Sequence, residues 1–379
     1  MRIAVNTRFL LKDRLEGVGW FSYEVMRRLV AAHPEHEFIF FFDRPYDESF
    51  IFGKNVTPVV LFPPARHPVL WLWWFEWSIP RALKKYQADV FLSLDGYCSL
   101  RSNLPAVMVT HDIAYLHMRR QIPAKFRMYS DLFVPLYLAR AERIVTVSDY
   151  SKQDILRHFP MPEKKVSTAC NGVREVFVPL PEAQKREVRN QYAAGEEYFF
   201  YIGSVHPRKN VPRLIQAFDA FKKETQASMK LLIGGRFAWQ TGEVKTAYES
   251  AQFKNDIIFL GFVPDEELPR LTGAALALTY VSLFEGFGVP ILEAMHCDVP
   301  VLTSNVSSMP EIAGEAGLLV NPLDVVEIAV GMQQLYENPN LRKHLIEKGK
   351  LQRQKFSWEK AAKVVWQNIL QAIENAPQS

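Results

Sequence analysis

The chain has 379 residues, of which 48% are hydrophobic and 23% charged, and its formal net charge is +4. This length exceeds what one hydrophobic core usually spans and predicts two domains of about 150–200 residues each. The composition excludes a disordered or collagen-like chain, and the small positive charge does not by itself indicate a nucleic-acid-binding protein.

Cysteine usage and the length of the apolar runs indicate the compartment. Cys98, Cys170 and Cys297 are scattered without the spacing of metal ligands. Such cysteines, in a sequence whose first residues resemble a strand rather than a secretory leader, are typical of the reducing cytoplasm. No run approaches the ~20 apolar residues of a membrane span. We therefore expect a cytoplasmic protein that does not cross a membrane.

Short apolar runs alternate with amphipathic stretches along the chain. In the first half these runs are RIAV, FIFFF, ADVFLSL, PAVMVT, RIVTVS and KVSTA, and in the second half YFFYIG, KLLIGG, DIIFLG, ALALTYVS, PVLTS and GLLV. Apolar runs separated by helical patterns are typical of parallel strands covered on both faces. The sequence therefore predicts an α/β protein with two doubly wound, Rossmann-like domains.

The domain boundary is expected in the segment 171–184, where Pro179 and Pro181 interrupt the pattern before a polar helix. This gives an N-terminal domain over 1–178 and a C-terminal domain over 179–356. A final helix within 357–379 has an apolar face and is expected to pack back on the N-terminal domain. The tryptophan-rich stretch 69–87 is expected to pack in the core or between the domains, and a membrane-surface helix remains its alternative.

Chemistry-bearing residues follow four of the predicted strands. His111 follows PAVMVT, Arg208 and Lys209 follow YFFYIG, Gly235 ends KLLIGG, and Glu285 follows ALALTYVS. In an open parallel sheet, ligands bind beyond the carboxyl ends of the strands. These residues are therefore candidates for one binding site.

In the stretch SLFEGFGVPILEAMHCDVP, residues 282–300, Glu285 and Glu293 lie on either side of a segment with glycines and a proline that resembles the start of a helix. Pro290 suits the first turn of a helix, so we expect a helix from about 289–290 with Glu293 in its first turn. Gly286 and Gly288 allow a tight turn, and the N–H groups of a helix start attract an anion. The stretch therefore predicts a phosphate site with a carboxylate on either side.

Ionised carboxylates accept hydrogen bonds, and vicinal hydroxyls are their natural partners. One glutamate could hold a ribose diol and the other the hydroxyls of a hexose, with a diphosphate at the helix start between them. The ligand of this hypothesis is a sugar nucleotide. In the alternative reading, Glu293 only complements the helix dipole and Glu285 is a solvated loop residue.

Arg208 and Lys209 supply the positive charge that a departing diphosphate needs. The sequence has no D-x-D pair of the kind that holds Mg²⁺ or Mn²⁺. We therefore expect a metal-independent site. The alternative for the HPRKN segment is a solvated turn that leads into a helix capped by Asn210.

Several blocks closely resemble the retaining glycosyltransferases of family 4, in particular the group described as mannosyltransferases. They are VTHDIAYL, VSDYSKQDI, CNGV, YIGSVHPRKNVPRLIQAF, FLGFVPDEELPRLTGAA and SLFEGFGVPILEAMHCDVPVLTSNVSSMPEIAGEAGLLVNPLD. The resemblance covers nearly the whole chain and is densest between 198 and 325. It implies the GT-B fold, in which two Rossmann-like domains face a central cleft and the C-terminal domain holds most of the donor.

The resemblance also implies a role for each matching position. In the transfer step, Glu285 would hold the hydroxyls of the transferred sugar. Arg208 and Lys209 would stabilise the departing diphosphate. His111 would approach the sugar from the N-terminal domain. The donor-binding positions would be Gly17, Gly19, Ser204, Gly235, Val263, Gly286, Phe287, Gly288 and Glu293. Glu293 would hold the ribose, Val263 would offer main chain to the base, and Gly17 and Gly19 would form a loop near the diphosphate and acceptor. Ser204 is a departure, because many relatives carry Arg there.

The implied reaction is a front-face transfer without a covalent nucleophile or bound cofactor. GDP-mannose is the favoured donor and a UDP-glucose-type donor is the alternative. The implied acceptor is a growing polysaccharide or a lipid-linked glycan, which would bring the protein to the anionic inner face of the membrane. Two other functions fit part of the pattern: a sugar-nucleotide epimerase of the same fold, and a non-catalytic sugar-binding protein. A dehydrogenase does not fit, because no G-x-G-x-x-G turn follows a strand.

Overall fold

The structure is a computed structural model and describes residues 1–12, 15–236 and 242–375. Contacts divide the chain into two compact units. The first unit comprises Met1–Asn171 and the chain from Ser357 onward, and the second unit is Gly172–Phe356. Each unit is built on one parallel sheet with helices between its strands.

The first unit has a seven-stranded sheet in the order β3-β2-β1-β4-β5-β6-β7, in which the strands pair in parallel. Its strands are β1 Arg2–Asn6, β2 Glu37–Phe42, β3 Val56–Val60, β4 Val90–Ser93, β5 Ala106–Thr110, β6 Arg143–Thr146 and β7 Val166–Thr168. Its helices up to the end of this sheet are α1 Gly17–Ala32, α2 Pro68–Trp73, α3 Ile79–Lys85, α4 Ala114–His117, α5 Ala124–Arg140 and α6 Asp149–His158. The central strands β4 and β5 are buried along their whole length, as expected of strands covered on both faces.

The second unit has a six-stranded parallel sheet in the order β10-β9-β8-β11-β12-β13. Its strands are β8 Tyr198–Ile202, β9 Lys230–Gly234, β10 Ile257–Gly261, β11 Ala277–Tyr280, β12 Val301–Ser304 and β13 Gly317–Val320. Its helices are α7 Glu182–Ala193, α8 Val211–Thr225, α9 Gly242–Ser250, α10 Leu268–Ala274, α11 Val289–His296, α12 Met309–Ala313, α13 Val325–Glu337 and α14 Pro339–Gln352. The predicted fold class, two doubly wound α/β domains, is confirmed.

The chain ends in α15, Trp358–Glu374, which packs on α1 and on the sheet of the first unit. One ion pair between these helices joins Arg28 to Glu359 at 2.7 Å. Residues 376–379 of the predicted C-terminal range lie outside the described residues.

The unit boundary at 171/172 lies seven residues before the predicted one at 178/179, because the connecting segment packs on the second unit. Arg174 pairs with Asp265 at 3.1 Å. Leu180 lies against Gly273 so closely that a Cβ there would come within 2.8 Å of Leu180 Cγ. The prolines that suggested the boundary therefore lie inside the second unit.

The tryptophan-rich stretch divides between the core and the surface. A π-helical turn, Trp74–Ser78, joins α2 to α3 and turns Trp74 and Phe75 into the core. Glu76 is buried there and accepts hydrogen bonds from the backbone N–H groups of Leu100 and Arg101. Trp73 stays half exposed. No helix in the described ranges combines the length and apolarity that crossing a bilayer requires.

Candidate active site

The strand order of the second unit reverses between β8 and β11, and the candidate charges follow these two strands. Arg208 and Lys209 lie in a short 3₁₀ turn, Pro207–Lys209, after β8, while Glu285 lies in the loop after β11. Ligands of open parallel sheets bind at such a switch point, outside the carboxyl ends of the strands. The fold therefore brings Glu285 next to Arg208 and Lys209, which lie 77 and 76 positions earlier in the sequence.

These three side chains are in direct contact. Arg208 Nη1 donates to Glu285 Oε2 at 2.7 Å, and Lys209 Nζ donates to Glu285 Oε1 at 2.7 Å. Tyr280 adds its hydroxyl, which lies 2.7 Å from Lys209 Nζ and 2.9 Å from Glu285 Oε1. We call the cluster of Arg208, Lys209, Tyr280 and Glu285 the charge cluster. With two cations and one carboxylate, it has a surplus of one positive charge.

The pKa of the Glu285 carboxyl shows how strongly the cations act. Glu285 is only 5% exposed, and burial, the largest effect, raises its pKa, but the charges of Arg208 and Lys209 bring the pKa down to about 2. Glu285 is therefore ionised at neutral pH. The alternative in which it is a solvated loop residue is wrong.

Hydrogen bonds between side chains and the backbone fix the two loops that carry the charge cluster. His206 caps the 3₁₀ turn by accepting from Arg208 N at 3.2 Å. The next residue after the turn, Asn210, has φ +62° and a buried side chain that donates to Val281 O at 2.9 Å and to Pro322 O at 2.7 Å. The alternative in which HPRKN is a solvated turn is therefore also wrong, because Asn210 ties the loop after β8 to the loop after β11.

Serine side chains hold the other side of the Glu285 loop. Ser307 Oγ accepts from Glu285 N at 3.0 Å, and Ser308 Oγ donates to the carbonyls of Glu285 and Phe287, each at 2.9 Å. The sequence reasoning did not single out Ser307, Ser308 or Tyr280. The polar SNVSSMP segment directly after a predicted strand was the available signal for the serines.

Glycines let the ends of β8 and β9 approach each other closely. Gly235 has φ +136°, and a Cβ there would lie 1.8 Å from the carbonyl oxygen of Gly203. A side chain at Gly235 would therefore displace the loop that leads to the charge cluster. Val263 lies beside the same strand end, with Cγ2 2.8 Å from where a Cβ of Gly234 would be. Ser204 is exposed in this loop.

The EGFG segment leads into α11 through Gly288, which has φ +97° and is the N-cap residue. Glycine has no side chain, so the N-cap residue itself cannot cap the helix start with a side-chain hydrogen bond. The first turn of α11 contains no acidic residue, because Glu293 is the fifth residue of Val289–His296. The prediction that Glu293 lies in the first turn is therefore wrong, because Glu293 lies just beyond that turn. The helix-dipole alternative is weakened, since that effect falls off within the first turn.

Glu293 does not contact the charge cluster and has a different electrostatic environment. Its carboxyl is 7% exposed, and Oε1 lies 3.9 Å from Arg174 Nη2. Burial raises its pKa to about 7, with Arg174 opposing and Asp265 adding to the shift. Arg174 is held by Asp265 at 3.1 Å and lies over the Phe177 ring. Sequence reasoning missed Arg174, although it directly follows the CNGV block.

His111 belongs to the first unit, where it follows β5. Its Nε2 lies 3.0 Å from the carbonyl oxygen of Leu94, and a carbonyl only accepts, so Nε2 carries a proton. Burial lowers the pKa of the ring. The neutral form therefore leaves Nδ1 as the acceptor nitrogen. The ring also packs edge-on against Phe21.

Gly17 and Gly19 do not form a loop, contrary to the sequence prediction. They are the first and third residues of α1 in the first unit. A Cβ at Gly19 would lie 2.8 Å from Phe9 O and 3.1 Å from Leu15 Cδ2. Gly19 is therefore required for the segment after β1 to pack against the helix start.

Comparisons with known proteins identify the chain's relatives. Residues 184–352 match the model described as glycosyl transferases group 1, and residues 15–175 match the model of glycosyltransferase family 4. The chain is 32% identical over 360 residues to O-antigen chain mannosyltransferase B of Escherichia coli, which covers 92% of this chain and 94% of that protein.

Solved structures share the fold at low sequence identity. A sucrose-phosphate synthase from Thermosynechococcus elongatus superposes with a TM-score of 0.80 at 19% identity, over 98% of this chain and 99% of that one. Alr3699/HepE from Anabaena, in complex with UDP and glucose, gives a TM-score of 0.76 at 15% identity, over 97% and 99%. At this level of identity the likeness concerns the fold.

Proposed function

Because the chain belongs to the family 4, group 1 glycosyltransferases, we propose that it transfers a mannosyl group with retention from GDP-mannose to a growing polysaccharide or lipid-linked glycan. The mannosyl assignment is supported by the relative named O-antigen chain mannosyltransferase B, which aligns along nearly its whole length. A UDP-glucose-type donor is the second candidate. It is supported by the HepE structure, whose ligands are UDP and glucose.

The charge cluster is the observation that carries this proposal. Its surplus positive charge lies at the switch point of the second sheet, where a diphosphate would need it. On donor binding, Arg208 and Lys209 would exchange part of their contact with Glu285 for phosphate oxygens. The freed oxygens of Glu285 would accept hydrogen bonds from the hydroxyls of the sugar.

The proposed chemical step is a front-face displacement. The bond between the anomeric carbon and the diphosphate oxygen breaks, and its electron pair stays on the diphosphate. The acceptor hydroxyl oxygen bonds to the anomeric carbon on the same face, and its proton passes to the departing phosphate. Arg208 and Lys209 stabilise the charge that develops on the diphosphate, and this electrostatic contribution grows as the bond lengthens. No general base is assigned.

The nucleotide half of the donor would lie along the neighbouring strand ends of the second unit. Glu293 would accept from the ribose hydroxyls, and Val263 would offer main chain to the base. The N-terminal end of α11, with Gly286, Phe287 and Gly288 before it, would face the sugar and diphosphate. The backbone around Ser204 and Gly235 would line the same site.

The remaining roles in this proposal concern residues of the first unit. His111 would accept a sugar hydroxyl through Nδ1, because Nε2 is already committed to Leu94. Gly17 and Gly19 would act through the start of α1, where Gly17 is exposed and Gly19 lets the segment after β1 pack closely on the helix. We propose a cytoplasmic protein that meets its acceptor at the inner face of the membrane. The exposed apolar residues Trp73 and Phe62 support that location.

The donor can be identified by thermal stabilisation followed by a transfer assay. GDP-mannose and GDP should raise the unfolding temperature of the chain more than UDP-glucose and UDP, because a ligand at 100 times its Kd adds ~2.7 kcal/mol. GDP should then be released from GDP-mannose only when a mannan oligosaccharide acceptor is present. Stabilisation by UDP and UDP-glucose alone would favour the second donor. Conversion of the donor sugar without any acceptor would identify an epimerase, and no response to any nucleotide would refute the proposal.

Transfer should not depend on a divalent metal ion. The charge cluster supplies the positive charge that a metal ion would otherwise bring to the diphosphate. We expect the initial rate at 25 °C in excess EDTA to stay within about twofold of the untreated rate. A complete loss of activity that Mn²⁺ restores would contradict this prediction.

A further inference from the structure

Three side chains of the kinds that bind transition metals meet in the first unit. His117 is the last residue of α4, and Asp154 and His158 lie one turn apart on α6. One ligand atom from each lies within 4.8 Å of the other two. None of these residues belongs to the candidate site described above. We call this group the histidine-aspartate cluster.

The contacts within this cluster converge on the Asp154 carboxylate. His117 Nε2 lies 2.7 Å from Oδ2, and His158 Nδ1 lies 3.3 Å from Oδ1. His158 Nδ1 also lies 2.9 Å from the backbone carbonyl oxygen of Asp154. The two imidazole rings are nearly perpendicular, with centroids 5.4 Å apart. The carboxylate thus has one imidazole nitrogen beside each of its oxygens.

Burial distinguishes this carboxylate from an ordinary surface acid. Asp154 is 2% exposed, and its Oδ1 is buried without a hydrogen-bond partner among the described residues, since the His158 contact does not have hydrogen-bond geometry. A buried oxygen of this kind is costly unless something satisfies it. The histidine side chains are 29% and 34% exposed, so the cluster opens to solvent on their side.

From these observations we propose that His117, Asp154 and His158 bind one zinc ion. Two imidazoles and a carboxylate are a ligand set that Zn²⁺ accepts, whereas Mg²⁺ and Ca²⁺ prefer oxygen ligands throughout. A solvent water would take the fourth tetrahedral position on the open side. Metal–ligand distances of about 2.0–2.2 Å place ligand atoms roughly 3.3–3.5 Å apart. The His117–Asp154 contact therefore has to widen by less than 1 Å, and His158 has to turn away from the Asp154 carbonyl.

The bound ion would connect α4 to α6, which both adjoin the segment that carries His111. Asp112 Oδ1 accepts from Ala114 N at 2.9 Å at the start of α4. Ser151 of α6 donates through Oγ to the backbone carbonyl of His111 at 3.2 Å. The zinc ion would thus stabilise the packing of α4 and α6 without contacting the His111 ring or joining the transfer reaction, so chelation should lower the unfolding temperature and change the initial rate by no more than the twofold expected above.

A second group, His33, Glu35 and His36, provides a matched comparison. Its rings stack on Trp366, with a centroid distance of 3.6 Å for His33, and the side chain of Glu35 is 59% exposed. This group has no buried carboxylate that needs a partner. Replacing its histidines therefore controls for loss of surface imidazoles.

The test is a zinc titration of the untagged, chelator-treated chain by calorimetry, followed by Co²⁺ substitution. We expect one Zn²⁺ per chain with a Kd below about 1 μM, a rise on the order of 5 °C in the unfolding temperature, and the intense visible absorption of tetrahedral Co²⁺. Asp154→Asn, and the double variant His117→Gln/His158→Gln, should each weaken zinc binding at least about 100-fold. The double variant His33→Gln/His36→Gln should bind zinc as the unmodified chain does.

Other outcomes would overturn the inference. A Kd for zinc above about 10 μM would mean that the histidine-aspartate cluster is not a zinc site. Loss of zinc binding in the His33/His36 variant, with binding kept in the variants of the cluster, would mean the same. If Asp154→Asn fails to fold, zinc binding by His158→Gln is the deciding measurement. The side chain of His158 is partly exposed at the end of α6, so it can be exchanged without disturbing the core. Unchanged zinc binding in His158→Gln would refute the assignment of that ligand. The donor screen does not depend on any of these results.

Discussion

Arg208→Ala is expected to lower kcat by about 10²–10³-fold, with a smaller change in donor affinity. Arg208 donates through Nη1 to Glu285 and to the carbonyl of Phe284, at 2.7 and 2.6 Å, and it would turn to the diphosphate when the donor binds. The charge on the diphosphate increases in the transition state, so losing a cation costs more there than in the ground state. Steady-state rates with saturating acceptor, together with calorimetry for donor affinity, measure the two effects separately.

Two control variants separate charge from structure. Arg208→Lys keeps the positive charge but loses the planar fork, and its kcat should fall between those of the unmodified chain and Arg208→Ala. Lys223→Ala removes an equally paired lysine, which contacts Asp219 at 2.8 Å on α8, and should leave kcat unchanged. Equal activity in Arg208→Ala and the unmodified chain would exclude the charge cluster from the chemical step.

The sequence predicted the strands well because parallel, doubly covered strands need continuous apolar runs. Both sheets contain every predicted run, and the missed strand is β3, Val56–Val60. Pro58 made this segment look unlike a strand, and the fold tolerates it because β3 lies at the edge of the sheet. Edge position is a property of the assembled sheet and cannot be seen in the local sequence.

The candidate site was harder to predict because its contacts are distant in sequence. The residue types at the strand ends indicated Arg208, Lys209 and Glu285, but separate roles were predicted for the cations and the acid, and the structure pairs them. Ion pairing depends on the strand order, which puts β8 beside β11 although they are far apart in the chain. Glu293 illustrates the same limit, since its partner Arg174 comes from the segment between the two units' sheets.

Two local predictions were wrong at the starts of helices. The resemblance implied a loop at Gly17 and Gly19, but the two residues begin α1, where Gly19 allows close packing against Phe9 and Leu15. Pro290 lies in the first turn of α11 as predicted, but Glu293 is the fifth residue of the helix and lies just beyond that turn. Both errors concern where a helix begins and which residues its first turn contains.

Glu293→Gln is expected to stabilise the unliganded chain while weakening nucleotide binding. The carboxyl has a pKa of about 7 in the fold, against an ordinary value of 4.5 in the unfolded chain. The folded state therefore binds this proton more tightly, so ionisation of Glu293 lowers the stability progressively between pH 4.5 and 7. Above pH 7 the cost is on the order of 3 kcal/mol, and it vanishes below pH 4.5. Glutamine avoids this cost because it does not ionise.

The predicted gain in stability should thus appear at pH 8 and disappear at pH 4. Calorimetric unfolding should give a temperature about 8 °C higher for Glu293→Gln than for the unmodified chain at pH 8. Glu249→Gln, which changes an exposed carboxylate on α9 of the same unit, should shift the stability by no more than about 0.5 kcal/mol at either pH. Equal stability of the Glu293 variant and the unmodified chain at pH 8 would mean that the Glu293 carboxyl is not desolvated.

Nucleotide binding should respond in the opposite direction, because the proposed ribose contact needs the ionised carboxylate as an acceptor. Glu293→Gln should weaken GDP binding by about 10–100-fold, since charge-assisted hydrogen bonds are lost. In the unmodified chain, GDP affinity should be full above pH 7 and fall up to about tenfold per unit below it, whereas the variant should lack this dependence. A variant that is more stable yet binds GDP unchanged would remove Glu293 from the nucleotide site, and its buried charge would then have no role in the proposed function.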